Sequence, residues 1–332
     1  MNENNILEIK DLSVIYKTDL ETVKAVNGIN IAIKKKSTFG LVGETGAGKT
    51  TTARSIIRLL PSVGHVTSGT IEFEDRNLLE LPEAEMRLFR GDKIAMVFQD
   101  PMTSLNPVMS VGDQNAETIK IHNPELDKAE VGRRVEATLA MVGILPSRKV
   151  EYPHQFSGGM KQRVIIAMAL ACEPQLLIAD EPTTALDVTI QAQVLMMIKD
   201  LRDRLGTSML MITHDLGIVA KICDDVGIMY AGEIVEAGTV QDIFEGKNHH
   251  PYTEGLFGSI PNLKSKAKRL NAIPGLMPDP TDLPEGCVFA ERCKYAMELC
   301  HKVHPSVATS GTHQLCCHLF NADGSRKEKN HE

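Results

Sequence analysis

GETGAGKT, residues 43–50, decides the reading of this chain. It fits G-x-x-x-x-G-K-[ST] and stands between a short apolar run at 38–42 and a helical pattern from Lys49 to about Leu60. Strand, glycine-rich turn and helix, in that order, form the frame in which such a loop cradles phosphate. Glycines let the backbone turn so tightly that successive N–H groups converge on one anion. The helix starting at Lys49 adds the positive end of its dipole. Gly43, Glu44, Thr45, Gly46, Ala47, Gly48, Lys49, Thr50 and Thr51 are therefore the candidate contacts to a nucleoside triphosphate. Lys49 reaches the β- and γ-phosphates, and the Thr50 hydroxyl binds Mg²⁺.

Working outward, LLIADEP supplies a second half. Residues 176–179 read as a buried strand, and Asp180 and Glu181 emerge at its end. Ligands of open α/β sheets bind at that edge. Asp180 is placed to hold Mg²⁺, and Glu181 to polarise an attacking water. Alternating segments at 6–16 and 23–33 predict half-buried strands of an antiparallel sheet. Further strands are expected at 93–98 and 209–213, and a helix at 188–205 with Val194, Ile198, Leu201 and Leu205 on one face. Between about 101 and 170 the pattern is mostly helical, punctuated by prolines. Buried strands alternating with amphipathic helices imply a parallel α/β core.

The chain has 332 residues and a net charge of −7, which argues against a general nucleic-acid binder. MNENNILEIKDL has neither the basic nor the apolar part of an export signal, so a reducing compartment is expected. The longest apolar run, 164–172, is about half of what a membrane-spanning helix needs.

FSGGMKQR, residues 156–163, lies before Asp180 and opens a helix. A serine, two glycines and a helix N-terminus make a second anion site. This stretch resembles the signature motif of ABC-type ATPases, with Phe and Met replacing the usual Leu and Gln. The resemblance implies a P-loop (RecA-like) ABC ATPase core with an antiparallel β subdomain and a helical subdomain at about 101–170. It implies that Ser157, Gly158 and Gly159 close over ATP held by a second ATPase subunit, identical or related. On the same basis Tyr16 stacks on adenine, although an aromatic in a sheet core would look the same. Gln99 links the Mg²⁺ and water site to the permease, Asp187 is the D-loop aspartate, and His214 is the switch histidine that contacts the γ-phosphate. VFQDPMTSLNP at 97–107, YPHQFSGGMKQR at 152–163 and HHPYTEGLFGSIP at 249–261 look like the dipeptide and oligopeptide (and nickel) import branch. That implies integral membrane permease subunits, an extracytoplasmic solute-binding protein, and a peripheral position on the cytoplasmic face of the inner membrane. The ATPase domain is expected at 1–245 and a C-terminal extension at 246–332. Import of nickel or another small solute, a soluble ABC ATPase acting on nucleic acid, and a non-hydrolysing regulatory module are the other readings.

Five of the seven cysteines fall in the last fifty residues, as C-x5-C-x6-C from Cys287 followed by Cys316 and Cys317. The spacing matches neither a common zinc finger nor a bacterial ferredoxin. A tail poor in large apolar residues still needs a staple, which a reducing compartment supplies as metal. The peptide-importer resemblance implies a 4Fe–4S cluster on Cys287, Cys293, Cys300 and Cys317 in a small Cys-rich C-terminal domain, with Cys316 spare. Structural zinc and free thiols are the alternatives.

Overall fold

The computed structural model describes residues 2–99, 104–183, 187–259 and 273–327. The elements in chain order are β1 (Asn5–Lys17), β2 (Thr22–Lys34), β3 (Thr38–Val42), α1 (Lys49–Ile56), β4 (Gly64–Phe73), β5 (Arg76–Asn77), α2 (Glu83–Asp92) and β6 (Ile94–Val97). Next come α3 (Val111–His122), α4 (Lys128–Met141), α5 (Gly158–Leu170), β7 (Leu176–Asp180), α6 (Val188–Leu205), β8 (Ser208–Thr213) and α7 (Leu216–Ile222). The chain ends with β9 (Asp225–Tyr230), β10 (Glu233–Thr239), α8 (Val240–Glu245), α9 (Pro251–Gly258), α10 (Glu298–Lys302), β11 (Val307–Ser310) and β12 (His313–Cys316).

The chain folds as two compact units. One comprises 1–8, 32–39 and 72–212, and the other 9–31, 40–71 and 213–332. In the first, β6, β7 and β8 run parallel, with Ile94 opposite Leu176 and Asp180 opposite Ile212. Every residue of β7 and β8 is buried, as expected of strands covered on both faces. The helical stretch resolves into α3, α4 and α5, which pack on one another. Local chemistry sets the helix ends. Ser110, Asp127, Ser157 and Asp187 each accept a backbone N–H two or three residues inside the helix they precede. Gly206 closes α6 at φ 67°, a left-handed position that suits glycine.

In the second unit, β9 and β10 pair antiparallel, and β12 adds to β10 with Glu236 opposite Leu315. β11 and β12 form a hairpin whose turn carries Gly311 at φ 63°. Ala308, Leu315, Cys317 and Phe320 make a small apolar cluster beneath that hairpin. Among the described residues, no helix is long and apolar enough to cross a membrane.

Candidate active site

The phosphate loop leaves β3 and enters α1 within the second unit. A Cβ on Gly43 would come 2.1 Å from the Met229 carbonyl oxygen, and one on Gly48 would come 2.4 Å from that of Ala25. Gly48 also sits at φ 106°, so both positions require glycine. Lys49 is buried, and its Nζ donates to the carbonyls of Gly43 (2.8 Å) and Glu44 (2.9 Å), which folds the ammonium over the loop. Tyr16 stands beside α1, its hydroxyl 2.9 Å from Thr51 Oγ1. His214 follows β8 and is exposed, next to Asp215, which caps α7.

Glu44 has partners far away in sequence. Its N–H donates to the Tyr252 hydroxyl at 3.0 Å, and its carboxylate accepts from Arg292 at 3.0 Å. Sequence reasoning gave neither Tyr252 nor Arg292 a role. Nothing local signals a contact between residues 248 positions apart.

The first unit carries the strand-end carboxylates. Asp180 ends β7 and is 2% exposed. Glu181 adopts φ 45°, a backbone region costly for a residue with a side chain, and its N–H is held by the Ile212 carbonyl at 2.9 Å. Gln99 Nε2 donates to Glu181 Oε2 at 3.0 Å, so these two expected site residues do meet. Ser157 caps α5, its Oγ accepting from the Met160 N–H. A Cβ on Gly159 would lie 2.5 Å from the Ile190 methyl, so the start of α5 rests against the start of α6. Asp187 caps α6 through Ile190 N–H at 3.0 Å. Positions 100–103 of the 97–107 stretch, 184–186 before Asp187, and 260–261 lie outside the described residues.

The chain is similar to known proteins along most of its length. Residues 26–184 match the model of the ABC transporter family, and 235–300 match that of the oligopeptide/dipeptide transporter C-terminal region. The oligopeptide transport ATP-binding protein OppD of Bacillus subtilis is 48% identical, over 97% of this chain and 91% of its own length. The dipeptide transport ATP-binding protein DppD of the same organism is 47% identical, over 95% and 94%. The chain belongs to the ABC transporter ATP-binding proteins of the oligopeptide and dipeptide type. A dimeric, post-hydrolysis structure of the ATP-binding cassette MJ0796 with ADP and Pi superposes with a TM-score of 0.64 at 26% identity. It covers 70% of this chain and 98% of that one. The fold is thus an ABC cassette with mixed α/β sheets.

The cysteines of this ABC ATP-binding protein form no disulfide. Cys287, Cys300, Cys316 and Cys317 are buried, and Cys293 is half-buried. Burial pushes the Cys287 thiol up to about 11, with further upward push from Cys300 and Cys293. It pushes Cys317 up to about 12, with further push from Cys287, Cys293 and Cys300. These four thiols therefore feel one another, and Cys287 and Cys317 push the Cys316 thiol up as well. Backbone N–H groups two residues on reach three of the sulfurs: Phe289 to Cys287, Tyr295 to Cys293 and Leu319 to Cys317. Such bonds favour the thiolate that a metal needs. Cys316 differs, since its Sγ donates to the Pro305 carbonyl.

Among the described residues, no three cysteines bring their sulfurs within 4.8 Å of one another. A single tetrahedral zinc would require sulfurs about 3.8 Å apart. The tail sulfurs therefore do not gather as the ligands of one zinc ion would. The group of three that does meet that distance is Glu236, His249 and His313. Glu236 Oε1 is 2.9 Å from His249 Nδ1 and 2.8 Å from His313 Nε2, and Oε2 accepts from the His250 N–H. It pins β10, β12 and the approach to α9 to one buried carboxylate.

Proposed function

We propose that the chain is the ATP-binding and ATP-hydrolysing subunit that energises an ABC importer of dipeptides and oligopeptides. The observation that carries this reading is a likeness that runs end to end, through the cassette and on into the peptide-transporter C-terminal region. On this reading 1–245 form the ATPase domain and 246–332 the importer-type extension.

Each site residue then has a task. N–H groups of the 43–50 loop other than that of Glu44, which Tyr252 holds, bind the triphosphate with the Lys49 ammonium, and Tyr16 carries the adenine. Thr50, Asp180 and Gln99 would hold Mg²⁺, which neutralises charge on the β- and γ-phosphates when bound. Glu181 accepts a proton as water attacks the γ-phosphorus. The new O–P bond forms as the bond to the ADP oxygen breaks. Gln99, hydrogen-bonded to Glu181, keeps that carboxylate aimed, and His214 contacts the γ-phosphate. Ser157, Gly158 and Gly159 cap ATP on a second ATPase subunit, with Asp187 beside them, so turnover needs the pair. Membrane-embedded permeases take up the closing motion, a solute-binding protein delivers the peptide, and the chain sits peripherally at the cytoplasmic face of the membrane.

The tail thiols Cys287, Cys293, Cys300 and Cys317 hold a 4Fe–4S cluster as a structural staple. Their backbone N–H bonds, and the bond that commits the Cys316 Sγ to the Pro305 carbonyl, support this set over one that includes Cys316. Two measurements test the whole reading. In vesicles that also hold a partner ATPase and the permeases, ATP hydrolysis should rise with added peptide and its binding protein. Peptide-independent, transport-free hydrolysis would overturn the import reading. Anaerobic purification should yield iron and acid-labile sulfide in equal amounts, whereas a colourless protein carrying zinc would replace the cluster.

A further inference from the structure

The C-terminal extension touches the phosphate loop at several points. Arg292, immediately before Cys293, is 7% exposed at its side chain and pairs with the Glu44 carboxylate. Its guanidinium also donates to the Tyr230 hydroxyl (3.2 Å) and to the carbonyls of Pro274 (2.9 Å) and Ile273 (3.4 Å). Burial works against its charge, but the bonds to Glu44 and Tyr230 outweigh this and raise its pKa further. Phe289, two residues after Cys287, packs on Tyr252 (ring centroids 5.5 Å) and Tyr230 (5.1 Å). Tyr252 in turn accepts the Glu44 N–H. The Met277 methyl lies 3.0 Å from where a Cβ on Gly46 would stand. The Pro280 carbonyl accepts from Lys24 N–H, next to the Ala25 carbonyl that crowds Gly48.

Glu44 is an odd residue for its place. A carboxylate in a loop that gathers triphosphate oxygens repels the ligand unless its charge is matched. Arg292 matches it and draws it toward the extension. Tyr252 takes up the N–H of the same residue, which fixes the backbone of the loop's first turn. The C-terminal extension thus grips Glu44 by side chain, through Arg292 of the Cys-bearing segment, and by main chain, through Tyr252 of α9.

We propose that Arg292 is a positioning residue for ATP binding. It neutralises and restrains Glu44, and the C-terminal extension thereby forms a structural part of the nucleotide site. The proposal rests on reading Gly43–Thr50 as the ATP phosphate loop, and it holds whatever the cysteines bind.

The test is MgATP titration of the full-length chain, with a parallel measurement of ATP KM and kcat in the assembled transporter. Arg292→Met should weaken MgATP binding about tenfold, raising KM and leaving kcat nearly unchanged. Arg292→Lys should recover part of the loss. Adding Glu44→Gln to Arg292→Met should recover most of it, because the unmatched carboxylate is gone; a residue that merely supports the fold would show no such rescue. Where Arg292→Met lowers the melting temperature, Tyr252→Phe, which removes only the acceptor oxygen for the Glu44 N–H, should give a smaller loss of affinity in the same direction. Lys49→Ala separates the two levels. If it binds MgATP like the parent, the phosphate-loop reading itself fails. If it loses binding while a fully folded Arg292→Met binds like the parent, or if Glu44→Gln brings no rescue, the positioning role is overturned.

Discussion

Glu181 combines an awkward backbone with a hydrogen-bonded carboxylate, and the two can be separated by substitution. Glu181→Gln keeps the size and the backbone but cannot accept a proton. It should bind MgATP at near-parental affinity and lose about 10²-fold or more in turnover, read as phosphate release by the assembled transporter. Near-normal release would remove Glu181 from the proton-accepting role. The buried histidines give a second residue-scale prediction, in pH. Burial pushes His250 down to about 4. The unfolded chain therefore takes up a proton near pH 6.5 that the folded chain refuses, and stability falls as pH drops from 6.5 toward 4. Burial alone would raise the Glu236 pKa, but bonds from His249 and His313 bring it down to about 2. Glu236 thus contributes stability above about pH 4.5, and this is lost as pH falls toward 2. The Glu236 bond raises His249, whose contribution is full below 6.5 and fades as pH rises through the raised value. His250→Asn retains an acceptor for the Tyr252 N–H. It should remove about 2 kcal/mol of the stability lost between pH 6.5 and 5, measured by urea unfolding at the two pH values. An unchanged pH dependence would show that His250 already carries its proton in the fold.

At the scale of elements, Asp187 serves two readings that a pair of variants separates. As the cap of α6 it accepts Ile190 N–H, and Asp187→Ala should cost about 1 kcal/mol of stability. Asp187→Asn keeps the cap and removes the charge. If hydrolysis by the assembled pair falls as far in Asp187→Asn as in Asp187→Ala, the aspartate acts beyond capping; full activity in Asp187→Asn leaves it a cap. Much of the element plan was legible where local chemistry is strong. Helix α6 and strand β3 fall on the expected residues, because a cap, a glycine stop and an unbroken apolar run are local signals. Helix α1 stops at Ile56, short of Leu60, because Arg58 turns to φ 52°. The β11–β12 hairpin was missed although Gly311 and Thr312 between two short strand-like runs could have marked it. The grip of Tyr252 and Arg292 on Glu44 was not legible, because it depends on where distant segments land. For the site the division is similar. The loop glycines announce themselves through backbone necessity, whereas the meeting of Gln99 with Glu181 appears only in the fold.

Across the whole molecule the assigned roles divide by unit. Tyr16, the phosphate loop and His214 lie in one compact unit, and Gln99, Ser157, Asp180, Glu181 and Asp187 in the other. The tail cysteines share the unit of the phosphate loop. On the proposal that the tail holds a cluster, stripping it under mild chelation should reach nucleotide binding through Arg292 and Phe289. MgATP affinity should fall in the stripped protein and return on reconstitution, followed by titration alongside the loss of visible absorbance. Unchanged affinity after complete stripping would show that the segment holds Glu44 without its metal. The grip on Glu44 also imposes a schedule on synthesis. Residues 273–292 leave the ribosome roughly 230 positions after Glu44, which at about 5–20 residues per second is on the order of 10–50 s. Throughout that interval the nascent loop carries a carboxylate with no arginine to match it. On the proposed role of Arg292, a growing chain is poorly equipped to capture ATP until residues 273–292 have emerged, which delays nucleotide loading until that segment has been made.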